Sequence, residues 1–222
     1  TEYALWFNMI ISSLYAWNVL IIKINLIKYD SKISKYNTKF KSRNTTPNNL
    51  TACILKRPRH DHIVNDLNSM GVKINFISDG DVSGVISVAE PKSNIDIYIG
   101  IGGAPEGVLA AAALDCLNCQ MQTRLVFEND KQKKRAKNLG ISNLKKKYNI
   151  VDMVKGDVIF CATGVTDGDL VRGIEDEGDY FKSETLVLHK SSKTNKKIIS
   201  KIEKWILFQL VVKTGNLENL II

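Results

Sequence analysis

The sequence contains no run long enough to cross a bilayer. Its apolar and aromatic stretch at residues 4–27 is broken by Asn8, Ser12, Ser13, Asn18, Lys23 and Asn25, whereas a spanning helix needs about 20 predominantly apolar residues in succession. The common nucleotide-binding signatures are absent too. Gly100-Ile101-Gly102 is followed by Ala104 and Pro105 in the wrong places for a GxGxxG turn, and no Gly-Lys-Ser or Gly-Lys-Thr closes a P-loop. Cys116 and Cys119 form one CxxC with no second pair at zinc-ligand spacing, which favours structural thiols over a metal or redox centre. Four cysteines (Cys53, Cys116, Cys119 and Cys161), three of them inside apolar runs, read as reduced, buried thiols of a cytoplasmic protein. No charged n-region with a small-residue cleavage site precedes the first apolar run. The chain starts at Thr1 without an initiator Met and is expected to be a fragment.

What is present is ordinary globular material with a basic excess. The 222 residues are 44% hydrophobic and 24% charged, with a formal net charge of +8. That length supports one sizeable core or two modest ones. The charge favours anionic partners: nucleic acid, acidic membrane or phosphorylated small molecules. The basic segment at 128–147 holds no aromatic or base-reading side chain among its lysines, so a solvated helical face is favoured over a nucleic-acid patch.

Punctuation divides the chain. Residues 28–49 are rich in Lys, Ser, Asn and Thr without periodicity, the composition of a loop or connector. A boundary is placed near Thr46, giving an unassigned segment 1–45, an α/β domain over 46–200 and a tail over 201–222. Within the domain, residues 50–55 read as a buried strand, followed by a helix with Ile63, Leu67 and Met70 on one face, stopped by Gly71. Residues 72–78 alternate as a strand and lead into Asp79-Gly80-Asp81, with a helix over 82–88. Residues 95–101 form a strand rich in β-branched residues that passes through Gly102 and Gly103 into an Ala-rich helix beginning at Ala104-Pro105-Glu106. Three strand, loop, helix units in succession indicate an α/β fold with a mainly parallel sheet. Ligands of such sheets sit outside the C-terminal ends of the strands, so the loops carrying Arg57 and Arg59, Asp79 and Asp81, and Gly103 and Glu106 are expected to meet at one pocket. Farther on, 157–162 read as a buried strand, with a polar loop that either lines the pocket or caps a helix starting at Leu170. Residues 183–189 read as a last strand, followed by a Lys-rich tail without assignable chemistry.

Each candidate carries two readings. Arg57 and Arg59 bracket Pro58, a stiff arrangement suited either to phosphate, through planar guanidinium forks, or to surface ion pairs. Asp79, Gly80 and Asp81 suit a sugar hydroxyl pair, a hard cation or a plain turn. Glu106 is a metal ligand or, as helix propensity favours, a carboxylate at a helix dipole. His60 and His62 flank Asp61 and either touch phosphate or stand exposed at a helix start, the second being favoured.

Taken together, the stretches LTACILKRPRHDHIV (50–64), ISDGDVSG (77–84), IGGAPEGVLAAAAL (101–114), MQTRL (121–125), DVIFCATGVTDGDLVRGI (157–174) and SETLVLHKSS (183–192) resemble the class II fructose-1,6-bisphosphatases, a type that includes sedoheptulose-1,7-bisphosphatases. The resemblance implies a layered sugar-phosphatase fold of the fructose-bisphosphatase and inositol monophosphatase kind. It implies metal-dependent hydrolysis of the 1-phosphate of fructose 1,6-bisphosphate in gluconeogenesis. By the same resemblance Arg57, Pro58, Arg59, Asp79, Gly80, Asp81 and Gly103 bind substrate, Glu106 binds Mn²⁺ or Mg²⁺, and the partners are a sugar bisphosphate and further copies of the chain, without nucleic acid or membrane. Lys usually stands where Arg57 is. The family's other acidic metal ligands, including those of an Asp-Pro-Ile-Glu-Gly-Thr stretch, have no counterpart in residues 1–49, and the segment between Leu125 and Leu139 is shorter than the family's. The chain is therefore expected to carry the substrate half of the site and one metal ligand, which leaves an inactive sugar-phosphate binder as the alternative.

Overall fold

A computed structural model describes residues 17–22, 46–90 and 92–205; the bulk of the loop expected at 28–49, much of the apolar stretch 4–27 and the tail beyond 205 lie outside them. The chain divides into two compact units, Thr1–Val158 and Ile159–Ile222.

The first unit is built on a six-stranded sheet. Its strands are β1 (Trp17–Ile22), β2 (Thr51–Leu55), β3 (Lys73–Ile77), β4 (Ile97–Gly102), β5 (Gln120–Leu125) and β6 (Lys147–Asn149), in the spatial order β3-β2-β4-β1-β5-β6. Strands β3, β2 and β4 are parallel neighbours, and β1 runs antiparallel to both β4 and β5. The expected mainly parallel sheet is thus present, with β1 and the antiparallel edge strand β6 as the exceptions. The helices are α1 (Asp61–Ser69), α2 (Asp81–Ala89), α3 (Ala104–Cys116), α4 (Asp130–Asn138) and the short α5 (Ile150–Met153).

Strand periodicity explains the layering, because successive side chains point to opposite faces. Ala52 and Ile54 of β2 and Ile97 and Ile99 of β4 join Ile63 and Leu67 of α1 in one buried cluster. Cys53 and Tyr98, one residue out of phase, join Val85 and Val88 of α2 and Val108, Ala111 and Leu114 of α3 in the other. Helices therefore cover both faces, which is why these strands read as nearly continuous apolar runs rather than alternating ones. The Ala-rich text of α3 lets that helix lie close against its neighbours. Helix α4 starts where the Asn129 side chain accepts the backbone N–H of Gln132, a regular N-cap. It buries only Ala136, and Lys131, Lys133, Lys134, Arg135 and Lys137 are exposed, as a solvated face requires.

The second unit is an antiparallel sheet of β7 (Ile159–Thr163), β8 (Glu175–Glu177), β9 (Tyr180–His189) and β10 (Thr194–Glu203), with β9 between β10 on one side and β7 and β8 on the other. Several expectations change here. No helix starts at Leu170: the residues after β7 form a folded loop in which Asp167 Oδ1 accepts the N–H of Gly173, the Gly168 N–H reaches Val171 and the Ile174 N–H reaches Val165. The polar loop expected to line the pocket or to cap a helix closes on itself instead. Strand β7 is not buried throughout; Phe160 is covered, but Ile159 and Cys161 are exposed. Of the four cysteines, all expected to be buried, only Cys53 is; Cys116 and Cys119 are half-buried and Cys161 is exposed. The stretch after Lys190 forms β10, entered through Lys193 at a positive φ of 53°. Among the described residues, no helix is long and apolar enough to cross a membrane.

Leu114 on α3 has no exposed surface, whereas Leu109 on the same helix is 51% exposed. Leu114→Ala is expected to cost about 2–5 kcal/mol and Leu109→Ala well under half as much, as read from urea unfolding midpoints; equal shifts would mean that α3 is not seated as described.

Candidate functional site

The C-terminal ends of three parallel neighbours, β2, β3 and β4, lie side by side, and each is followed by one of the polar loops. After β2 comes Lys56-Arg57 and a 3₁₀ turn, Pro58–His60, which flows into α1. After β3 comes Asp79-Gly80, with Gly80 at φ +80° as the N-cap of α2; this left-handed conformation favours glycine. After β4, Gly103 caps α3 and Pro105 and Glu106 sit in its first turn.

A buried histidine ties two of these ends together. His60 is 1% exposed. Its Nδ1 lies 2.6 Å from the carbonyl of Leu55, at the end of β2, and its Nε2 lies 2.8 Å from the N–H of Ile101, in β4. A ring with its proton on Nδ1 donates to the first and accepts from the second. The Ile101 carbonyl accepts the Arg59 Nε–H at 2.6 Å. The preference for an exposed His60 is thus overturned: the 3₁₀ turn rotates this ring inward, between two strand ends whose backbone groups need partners. His62 is exposed, as expected.

Beyond this tie lies a pocket lined by Asp81, Val85, Tyr98, Gly100, Gly102, Gly103, Glu106, Gly107 and Ala110. Asp81 Oδ1 accepts the Tyr98 hydroxyl at 2.6 Å, and Asp81 Oδ2 leans over Gly102, where an added Cβ would lie 3.2 Å away. The Glu106 carboxylate folds back over Gly103 and would be struck by a Cβ there. Two carboxylates therefore stand over two adjacent glycines. Burial, and then the hydrogen bond and negative charge of Asp81, push the Tyr98 phenol far above its ordinary range.

Of the residues singled out from sequence, Asp81, Gly103 and Glu106 line this pocket, and Arg59 is fixed to the strand beside it. Asp79 turns inward on its own loop, its Oδ1 accepting the Gly80 N–H at 2.8 Å. Arg57 Nη1 donates to the Lys56 carbonyl, and Pro58 shapes the turn. Neither Arg57 nor Arg59 forms an ion pair among the described residues. Tyr98 and His60 are the residues whose roles the sequence did not disclose. Tyr98 was legible only as a strand aromatic, because no spacing rule couples positions 81 and 98.

Glu106, expected to bind a metal ion, has few fellow donors. Among the described residues, no three His, Cys, Asp or Glu side chains converge closely enough to hold an ion, and hard cations need several oxygen ligands. Glu106 with Asp81 nearby does not make a complete divalent-cation site.

A family model described as bacterial fructose-1,6-bisphosphatase, glpX-encoded, matches residues 25–202. Fructose-1,6-bisphosphatase class 2 of Haemophilus influenzae is 38% identical over 165 residues, covering 68% of this chain and 49% of that protein. Fructose-1,6-bisphosphatase 1 class 2 of Escherichia coli K12 matches with the same identity and coverage. The chain spans about half the length of the curated relatives it matches.

His60→Ala leaves the Leu55 carbonyl and the Ile101 N–H unpaired in the interior and opens a void, so a loss of about 2–4 kcal/mol is expected. His62→Ala, at an exposed position, is expected to change little. Unfolding midpoints of the two variants check this, and an unshifted His60→Ala midpoint would remove the tie.

Proposed function

The chain belongs to the glpX-encoded bacterial fructose-1,6-bisphosphatase family, and from that membership we propose that it serves the hydrolysis of fructose 1,6-bisphosphate to fructose 6-phosphate and phosphate in gluconeogenesis. The observation that carries the reading is the convergence at one sheet edge of Arg59, Asp81, Gly103 and Glu106. In the reaction water adds to phosphorus and the phosphorus–oxygen bond to the C1 alkoxide breaks. A family of this kind draws on Mn²⁺ or Mg²⁺ for Lewis-acid help.

The chain's own residues would do the binding. Arg57 and Arg59, spaced by Pro58, would take a phosphate through guanidinium donors. Asp79, Gly80 and Asp81 would take sugar hydroxyls, and Gly103 would let backbone approach the substrate closely. Glu106 would contribute one carboxylate to a cation. A homo-oligomer in the cytoplasm, acting on a small sugar bisphosphate and not on nucleic acid, completes the proposal.

A second reading has its own observation. Because the described residues supply no cluster of three metal-binding side chains, the chain alone would bind sugar phosphates without turning them over. Sedoheptulose 1,7-bisphosphate is the alternative substrate.

Calorimetry with fructose 1,6-bisphosphate, paired with phosphate release in Mn²⁺ or Mg²⁺, separates these readings. Binding is expected, and Arg59→Ala should weaken it by about tenfold or more, since charge-assisted bonds contribute about 1.5–3 kcal/mol. Turnover by the chain alone would exclude the inert binder, whereas absence of both binding and turnover would defeat both readings.

A further inference from the structure

We propose that Tyr98 is a positioning residue: it turns the Asp81 carboxylate so that a single oxygen, Oδ2, faces the pocket and accepts a single sugar hydroxyl. The inference rests on the reading of Asp81 as a sugar-binding residue.

Tyr98 is 2% exposed, and its ring is held on two sides by glycines. A Cβ at Gly84 of α2 would come 2.6 Å from Ile77 Cδ1, 3.0 Å from Cε2 and 3.3 Å from Cδ2 of the ring; one at Gly100 of β4 would come 3.2 Å from Cε1 and 3.3 Å from the hydroxyl oxygen. Side chains at either place would crowd the ring, and at Gly84 Ile77 as well, so the two glycines leave room for the slot that points the hydroxyl at α2. There it donates to Asp81 Oδ1 at 2.6 Å, the short length of a bond to an ionised acceptor. The phenol is held far above its ordinary range, so it stays a donor at any pH at which the protein works. With Oδ1 engaged, Oδ2 remains, leaning over Gly102 on the side of Glu106. A carboxylate free to rotate would chelate two neighbouring hydroxyls. This one is restricted to one, which makes Asp81 sensitive to where that hydroxyl stands and not merely to the presence of a polyol.

The test is calorimetric titration of the full chain with fructose 1,6-bisphosphate, and separately with inorganic phosphate. The variants are Tyr98→Phe, Asp81→Ala, the double variant and Gly100→Ala. Tyr98→Phe is expected to weaken sugar bisphosphate binding by about tenfold, the scale of a hydrogen bond to a charged group, and to leave phosphate binding unchanged. In the Asp81→Ala background it should cost nothing further. Gly100→Ala, which moves the ring while keeping its hydroxyl, should produce the same selective loss and decides the matter by the same criteria if Tyr98→Phe does not fold. A wild-type chain that binds no sugar bisphosphate overturns the functional reading and this inference with it. If the wild type binds, three results overturn the positioning role alone: an unaffected Tyr98→Phe, an equal loss of phosphate affinity, or an undiminished effect without Asp81.

Discussion

At the C-terminal edge of a parallel sheet the backbone leaves the ladder, and its amides and carbonyls need other partners or water. In this chain a single imidazole answers for two strands at once. His60 joins the last carbonyl of β2 to an amide near the end of β4, and Arg59 takes up the neighbouring carbonyl. Everything proposed for the pocket depends on that junction. The loops after β2 and β4 are not free ends arranged around a ligand; the buried His60 and the exposed Arg59 bond the one to the strand of the other. Such a site is preorganised, and binding it costs less ordering of the protein.

The second support is steric. Gly100, Gly102 and Gly103 line the pocket and Gly84 packs behind the Tyr98 ring, each beside a side chain that would meet an added Cβ: Ile77 and the Tyr98 ring at Gly84, the Tyr98 ring at Gly100, Asp81 at Gly102 and Glu106 at Gly103. The absence of Cβ atoms gives the functional side chains their places. The IYIGIGGAPEG text therefore specifies more than a strand running into a helix; its small residues are moulds for larger ones supplied by α2, β4 and α3.

Much of this was legible. Residue spacing alone placed α1, α2 and α3 and the three parallel strands β2, β3 and β4, because their apolar periods are clean and Gly or Pro marks their ends. It also brought the loops of Arg57, Asp79 and Glu106 to one edge. The six motif blocks pointed to the bacterial class II fructose-1,6-bisphosphatases, and the family match bears this out. What was not legible has physical reasons. The burial of His60 depends on the rotation of a 3₁₀ turn, and its role on a strand end more than forty residues away. Strand β10 interleaves Lys with Ile and pairs in register with β9, so its hydrophobic signal is diluted by residues that carry cross-strand ion pairs such as Lys197 with Glu184 and Lys201 with Glu177. Where a helix is expected at Leu170, Asp167 accepts the Gly173 N–H and the chain folds into a loop.

Strand β1 has a bearing on how the chain comes to be folded. Trp17 is in register with Gly102 on one side and with Leu125 on the other, so the middle of the sheet is filled by the earliest described residues of the chain. The units β2-α1-β3 and α2-β4-α3 rest on contacts between neighbours in sequence, whereas β4 and β5 are joined only through β1. Closing so long a loop carries its entropy cost before the new contacts return anything. Without β1 two strand edges would lie open in the heart of the sheet, a template for other chains. Topology thus carries a hazard: the strand that completes the middle of the sheet comes from far away in the sequence, and anything that keeps it from its slot exposes both neighbours.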